Sequence, residues 1–466
     1  MSTKSVKSDE TRETLFKKDQ EYVWHALTQY KETEEHVPNI FTRGQGAYLF
    51  DMEGKKYIDG TSGLWCVNSG YGQKSLSEAA YHQLNQLPYS TLIASHAPAI
   101  ELAEKINESL GYKAKVHYSN SGSEANEVAF KIVRQYQSQK PKGQLRYKII
   151  SRYRAYHGNT LGALSATAVA GRSFKYEPLV PGFIHIHPPY CYRCPYGRQY
   201  PDCSIECAQE LATVINYEGE ESVAAFIVEP IMAGGGVIVP PPEYLPIIAK
   251  ICKEKGVLLV FDEVVTGFGR SGKMFAFQHW DVEPDIITFA KGLTSGYLPL
   301  SATACKEEVF DGFKKDDSED HHFRHVNTFG GHPASCAVAI ANIKLIQELD
   351  LVEQARDKGE FLQELLAELK KLPIVGDIRG KGLFIGIELV EDKKSKIPIP
   401  EHYLAKLIKQ AMQQGVIIGK NTSTTLNFSN VLILAPPFII EKTDLVIMVQ
   451  TLKALLISLG KALDGS

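Results

Sequence analysis

A net charge of only -3, from 51 Lys and Arg against 54 Asp and Glu, leaves the chain without the basic excess of a dedicated nucleic-acid binder. No nucleic-acid partner is expected. The opening twenty residues, MSTKSVKSDETRETLFKKDQ, lack the apolar core of a secretory signal, and no later run reads as long and apolar enough to span a bilayer. A cytoplasmic location with no membrane partner is the expectation. In that reducing compartment the eight cysteines are thiols or metal ligands in preference to disulfides. Repeats, linker-like tracts and low-complexity segments are missing as well. What the chain does have is an ordinary globular composition, 44% hydrophobic and 23% charged. Its 466 residues are too many for one small core and suit two or three lobes.

Hydrophobic patterning sets out short strands and helices in alternation. The polar first twenty residues read as a mobile arm. Tyr22, Val23, Ala26, Leu27 and Tyr30 then have the spacing of a short amphipathic helix over residues 21–30. Strand-like runs at 46–51 and 55–59 flank Met52-Glu53-Gly54, which reads as a hairpin turn. Further strand-like runs fall at 115–118, 147–151 and 223–228, and a helical pattern covers 125–136. From about Ala334 the order is helix, strand over 382–389, helix over 403–413, strand over 431–434 and a last helix through Leu459. That alternation, without a long parallel series, describes a smaller α+β lobe to which the N-terminal segment would add.

The rest is organised around residues 256–292. Two apolar runs, 257–261 and 285–290, have the length of strands buried on both faces, and each ends at a charged residue, Asp262 and Lys291. If both strands belong to one doubly wound parallel sheet, the two side chains enter the crevice beyond the strands' carboxyl ends, where such sheets bind ligands. A carboxylate and a lysine sharing a pocket match what a pyridoxal phosphate site requires. The lysine holds the cofactor aldehyde as a Schiff base, and the acid keeps the pyridine nitrogen protonated.

FDEVVTGFGRSGK, followed 29 residues after Asp262 by Lys291 in TFAKGL, resembles the class III aminotransferases among the fold-type I pyridoxal phosphate enzymes. The resemblance runs on through GLWCVNSGYG, SNSGSEAN, AYHGNT, VEPI, NTFGGHP and RGKGLFIGIEL. It implies an α/β fold with a large cofactor domain over 61–333, built on a mostly parallel seven-stranded sheet. Residues 334–466 would form the smaller α+β domain, joined by the segment 1–60. It also implies pyridoxal 5′-phosphate as cofactor, with Lys291 and Asp262 as the catalytic pair. Ser121, Gly122 and Ser123 would form a phosphate cup at a helix start, where N–H groups and the helix dipole favour an anion. Tyr156 would stack on one face of the pyridine ring and Val264 on the other, with His157 nearby and Glu229 at the edge. Trp65 would be an apolar wall for substrate. Thr328 would reach the phosphate site of a neighbouring subunit, which makes the working unit a homodimer, with a tetramer allowed.

Valine at position 265, where the ornithine and 4-aminobutyrate branches carry glutamine, shifts weight toward the branch that uses pyruvate with ω-amino acids or amines. GLWCVNSGYG and GKNTSTTLNFSNVLILAPPF are most similar to the taurine:pyruvate subgroup. There, an arginine before the late proline pair is the usual carboxylate clamp, but between Val416 and Pro437 the sole cation here is Lys420. Lys420 is therefore the candidate acceptor-carboxylate contact, with Arg172 and Arg270 next. Cys191-x2-Cys194-x8-Cys203-x3-Cys207 adds a candidate zinc site, although its middle spacing is short for paired knuckles. Two alternatives stay open at this point: a pyridoxal phosphate lyase on the same scaffold, and a non-enzymatic metal-dependent interaction protein built on the cysteines.

Overall fold

The computed structural model describes residues 11–28, 31, 39–140, 145–314, 321–421 and 429–464. Its centre is a seven-stranded sheet made of β4 (Ala114–Ser119), β5 (Lys148–Arg152), β6 (Phe183–Ile186), β7 (Val223–Val228), β8 (Leu258–Asp262), β9 (Ile286–Phe289) and β10 (Ser301–Lys306). These lie in the spatial order β4-β10-β9-β8-β7-β5-β6. β6, β5, β7, β8 and β9 pair in parallel, and β10 alone runs against its neighbours β4 and β9. Every residue of β7 and of β8 is buried, as expected for strands covered on both faces. The carboxyl ends of the parallel strands therefore open onto one crevice.

Two smaller sheets complete the architecture. β1 (Phe41–Gln45), β2 (Tyr48–Asp51) and β3 (Lys56–Asp59) form an antiparallel meander, and β13 (Val416–Ile417) joins β3 in parallel with Val416 opposite Ile58. β11 (Val375–Gly380), β12 (Ile385–Leu389), β15 (Val431–Leu434) and β14 (Gly419–Lys420) make the other, in the order β11-β12-β15-β14. The hairpin expected around Met52-Glu53-Gly54 is the β2–β3 connection.

Two expectations need correction. The first helix is Arg12–Tyr22, within the stretch read as a mobile arm, and it ends where 21–30 was expected to be helical. Thr11 caps it by accepting the Thr14 N–H, and Val23 is already extended with φ -107°. Tyr22, Val23, Trp24 and Leu27 are exposed, so their spacing does not define a buried face; Tyr30 lies outside the described residues. Second, the helix Lys442–Asp464 does include a segment, Lys442–Leu463, long and apolar enough to cross a membrane. One face of it is core, with Leu445, Met448, Leu452 and Leu456 fully buried, while Ile447, Gln450 and Lys453 are exposed. Its length and apolarity serve packing against the helices Leu351–Ala367 and Glu401–Gln413.

Arg270 ties the parts together. It is completely buried, and Nη1 donates to the carbonyls of Leu383 (3.0 Å) and Pro436 (2.7 Å) while Nη2 donates to Ser62 Oγ (3.0 Å) and Asn68 Oδ1 (2.6 Å). Burial pulls its pKa down to about 9, and the nearby Asp59 opposes that. Truncation strands four buried acceptors drawn from three distant parts of the chain. Arg270→Ala is expected to cost at least about 3 kcal/mol in stability. An unchanged urea midpoint would refute this role.

Candidate active site

The ends of β8 and β9 meet as the sequence suggested. Asp262, the last residue of β8, is buried with three donors on its carboxylate: Val264 N on Oδ1 at 3.0 Å, and Asn126 Nδ2 and His157 Nδ1 on Oδ2, each at 2.8 Å. The second layer is fixed too. Asn126 also donates to the His157 carbonyl at 2.7 Å and accepts from Thr288 Oγ1 at 2.9 Å, and the His157 N–H donates to Thr167 Oγ1 at 2.8 Å. These three contacts fix the plane of the carboxylate.

Lys291 follows β9 in the left-handed region, φ 44°, a costly conformation for a lysine and one that collects at functional sites. Its Nζ sits 4.9 Å above the Trp65 ring, which packs edge-on against Phe384. Burial lowers the ammonium pKa below the usual lysine value, against the pull of Cys66, Asp262 and Glu229. Among the described residues the amine has no hydrogen-bond partner. Glu229, at the end of β7, is buried; its Oε1 accepts from Tyr156 N at 3.2 Å and Oε2 from Ala233 N at 2.9 Å. Burial raises its carboxyl pKa. Tyr156 is half-buried, and the Arg172 guanidinium lies 5.5 Å over its ring.

The third wall is the start of the helix Gly122–Ser138. Ser121 caps it by accepting the Glu124 N–H at 3.2 Å, and the Glu124 carboxylate returns to Ser121 N at 3.1 Å in a capping box. The N–H groups of Gly122 and Ser123 have no acceptor among the described residues. A Cβ on Gly122 would come within 2.8 Å of Val264 Cγ1, so glycine lets the helix start press onto the turn after Asp262.

The chain matches the aminotransferase class-III family over residues 29–456. This chain belongs to the class III aminotransferases. It is 48% identical over 453 residues to the uncharacterized aminotransferase YhxA of Bacillus subtilis, covering 97% of this chain and 99% of that one. It is 43% identical over 430 residues to the taurine–pyruvate aminotransferase of Bilophila wadsworthia, covering 92% and 93%. Its fold superposes on a Bacillus anthracis aminotransferase with a TM-score of 0.92 at 47% identity, covering 96% of this chain and 99% of that one.

Class III aminotransferases are pyridoxal phosphate enzymes, and the residues here fit that cofactor. Among the described residues, a half-buried lysine whose amine has no hydrogen-bond partner, a buried carboxylate and two N–H groups without an acceptor at a helix start answer to an aldehyde, a pyridinium and a phosphate respectively. Family membership also removes the reading as a non-enzymatic metal-binding protein.

Other predicted site residues stand elsewhere in this aminotransferase. Thr328 is exposed, with its carbonyl accepting from Tyr89 OH at 2.9 Å. The Lys420 ammonium is 2.6 Å from Glu401, on the helix Glu401–Gln413. Arg270 is caged as described above. Cys191, Cys194, Cys203 and Cys207 do line one cavity, of ≈ 20 Å³. Among the described residues, however, no three Cys, His, Asp or Glu side chains group to hold a metal. Tyr190 OH and Arg193 Nε both bind Glu388, anchoring the cysteine segment to β12. Burial, with the neighbouring cysteines adding to it, raises the Cys191 thiol pKa and takes that of Cys207 to about 12.

Patterning missed Asn126, Thr167 and Thr288. The signal for Asn126 was local: a poor helix former among Ala125, Val128 and Ala129 on the inward side of a helix has a partner to serve. Glu263 was missed as well. It is fully buried under the hydroxyl of Thr266 and the N–H groups of Ala276 and Phe277, and burial raises its pKa from 4.5 to about 7. The folded state then keeps a proton that the unfolded chain releases, so stability falls as pH rises from 4.5 to about 7 and levels off above. Glu263→Gln is expected to remove a decline on the order of 3 kcal/mol from the stability curve between pH 4 and 8. Parallel wild-type and variant curves would contradict this.

Proposed function

We propose that this aminotransferase moves the amino group of a small ω-amino acid or amine, with taurine the leading donor, to pyruvate. The observation that carries the substrate reading is the 43% identity to the taurine–pyruvate aminotransferase of Bilophila wadsworthia across nearly the whole of both chains. Bound pyridoxal phosphate supplies an electron-withdrawing ring that takes up negative charge when the substrate carbon loses its proton. Lys291 Nζ would hold its aldehyde carbon. Burial lowers the pKa of that amine, which would accept the proton from the substrate carbon and pass it to the cofactor's aldehyde carbon. Asp262, oriented by Asn126 and His157, keeps a negative charge beside the ring nitrogen and holds the proton there. Tyr156 and Val264 would flank the ring, Glu229 would close its edge, the Ser121-Gly122-Ser123 turn would bind the phosphate, and Trp65 would wall the substrate. The same steps reversed on pyruvate give alanine.

A homodimer completes the reading, with Thr328 reaching the neighbour's phosphate. Exposed Leu64, Ile93, Val326 and Phe329, 67%, 86%, 65% and 60% accessible, are apolar surface that a second copy would cover.

A donor panel with pyruvate, reading alanine, tests the function. Taurine and other ω-amino donors are expected to yield alanine, and alanine formation from no donor would sink the proposal. Release of ammonia without alanine would replace transfer with elimination. Lys291→Ala should fold, lose the borohydride-fixable cofactor and lose transfer. Asp262→Asn should bind cofactor while turnover falls by about 10²-fold or more. Near-normal turnover in either variant would remove its residue from the role.

A further inference from the structure

The cations around the pocket can be sorted by what already holds them. Lys420 is paired with Glu401 at 2.6 Å, Arg270 is caged by four oxygens, and Arg152 is fully buried with Nη2 on the Glu229 carbonyl at 2.5 Å. Arg172 differs. It is half-buried near the end of the short helix Ala170–Ser173, and its guanidinium has neither an ion pair nor a hydrogen bond among the described residues. It lies over the Tyr156 ring, 5.5 Å from the ring centre.

That placement is built into the scaffold. Ala168 is bridged to Tyr153 in parallel, and its carbonyl accepts from Arg154 N at 2.8 Å, so the segment carrying Arg172 is clamped alongside the one carrying Tyr156. Tyr156 in turn is tied to Glu229 through its N–H, and His157 to Asp262. Burial raises the Tyr156 phenol pKa, Arg172 pulls it back, and Asp262 and Glu229 push it up, so the phenol senses both the cation and the pocket's two acids. A guanidinium resting on an aromatic face keeps its N–H edge free for a planar or tetrahedral acid group, which it can grip with two bonds.

We infer that Arg172 is the specificity residue that binds the acid group of the substrates, the carboxylate of the keto acid and the sulfonate or carboxylate of an ω-amino donor in turn. The inference rests on the aminotransferase reading of the pocket and deepens it. An uncharged alkylamine has no acid group and makes no use of Arg172.

The test compares wild-type holoenzyme with Arg172→Gln and Arg172→Lys in separate half-reactions with pyruvate, taurine and butylamine. Equilibrium binding of unreactive propionate and propane-1-sulfonate is measured alongside. Arg172→Gln is expected to raise KM for pyruvate and taurine about tenfold or more, with kcat within about threefold, and to weaken both unreactive anions by a similar factor. Butylamine kinetics should stay within about twofold, and Arg172→Lys should recover part of the anion binding. An effect on one anionic partner alone assigns Arg172 to that source and overturns the shared role. Unchanged anion binding in Arg172→Gln, or an equal loss for butylamine, overturns the inference altogether. Failure of the wild type to make alanine would overturn the transfer reading instead, and the propionate and sulfonate affinities would still decide the role of Arg172.

Discussion

The structure depends on one buried negative charge. Asp262 sits at the end of a strand with no exposed residue, where an isolated carboxylate would be expensive to keep ionised, and it is retained by three donors from three places in the chain. Each donor has its own obligations. Asn126 must come from a helix whose start forms the anion-binding turn, His157 from the loop that carries Tyr156, and Val264 from the turn that presses on Gly122. Satisfying one carboxylate thereby brings the helix start at Gly122, the loop carrying Tyr156 and the turn carrying Val264 to a common point. Stability and chemistry are set by the same contacts here, so a change in the pocket floor is felt in both.

Much of this was legible before any coordinates, for a physical reason. Parallel strands buried on both faces are written as unbroken apolar runs, and the first charge after such a run lies at the strand's end; Asp262, Lys291 and Glu229 were all marked that way. What escaped was of two kinds. The helix Arg12–Tyr22 has no buried residue, so it leaves no hydrophobic period to read and is carried by its cap and local propensity. Pairings across the fold were the other kind: Lys420 offered a cation to the eye, but nothing near it in sequence announced Glu401, 19 residues earlier. The spacing of the four cysteines was visible, whereas the pull of Glu388 on Tyr190 and Arg193 was not.

The buried ions divide into two classes. Glu388 lies under Arg379, Tyr190 and Arg193; burial alone would raise its carboxyl, but the cations and the phenol overcome that and hold it below the usual value. That cluster is matched and closed. Lys291, whose amine has no hydrogen bond among the described residues, is strained at its backbone and depressed in pKa. The contrast separates a structural ion cluster from a reactive one without reference to any relative: in the first the carboxylate is met by cations and a phenol of the chain itself, and the second keeps its amine for something that arrives.

The pairing of β3 with β13 has a consequence for how the chain is made. Val416 lies opposite Ile58 in a parallel ladder, and the carbonyl of Gly415 accepts from the Ile58 N–H at 2.8 Å, so the N-terminal meander lacks its fourth strand until residue 416 has left the ribosome. Through most of synthesis β3 is an open edge carrying the buried residues Tyr57 and Ile58, a template for any other extended segment. Emergence of residues 416 and 417, rather than of the meander itself, is the event that closes this edge. Nascent copies on neighbouring ribosomes thus have a shared hazard of pairing through it before they are complete.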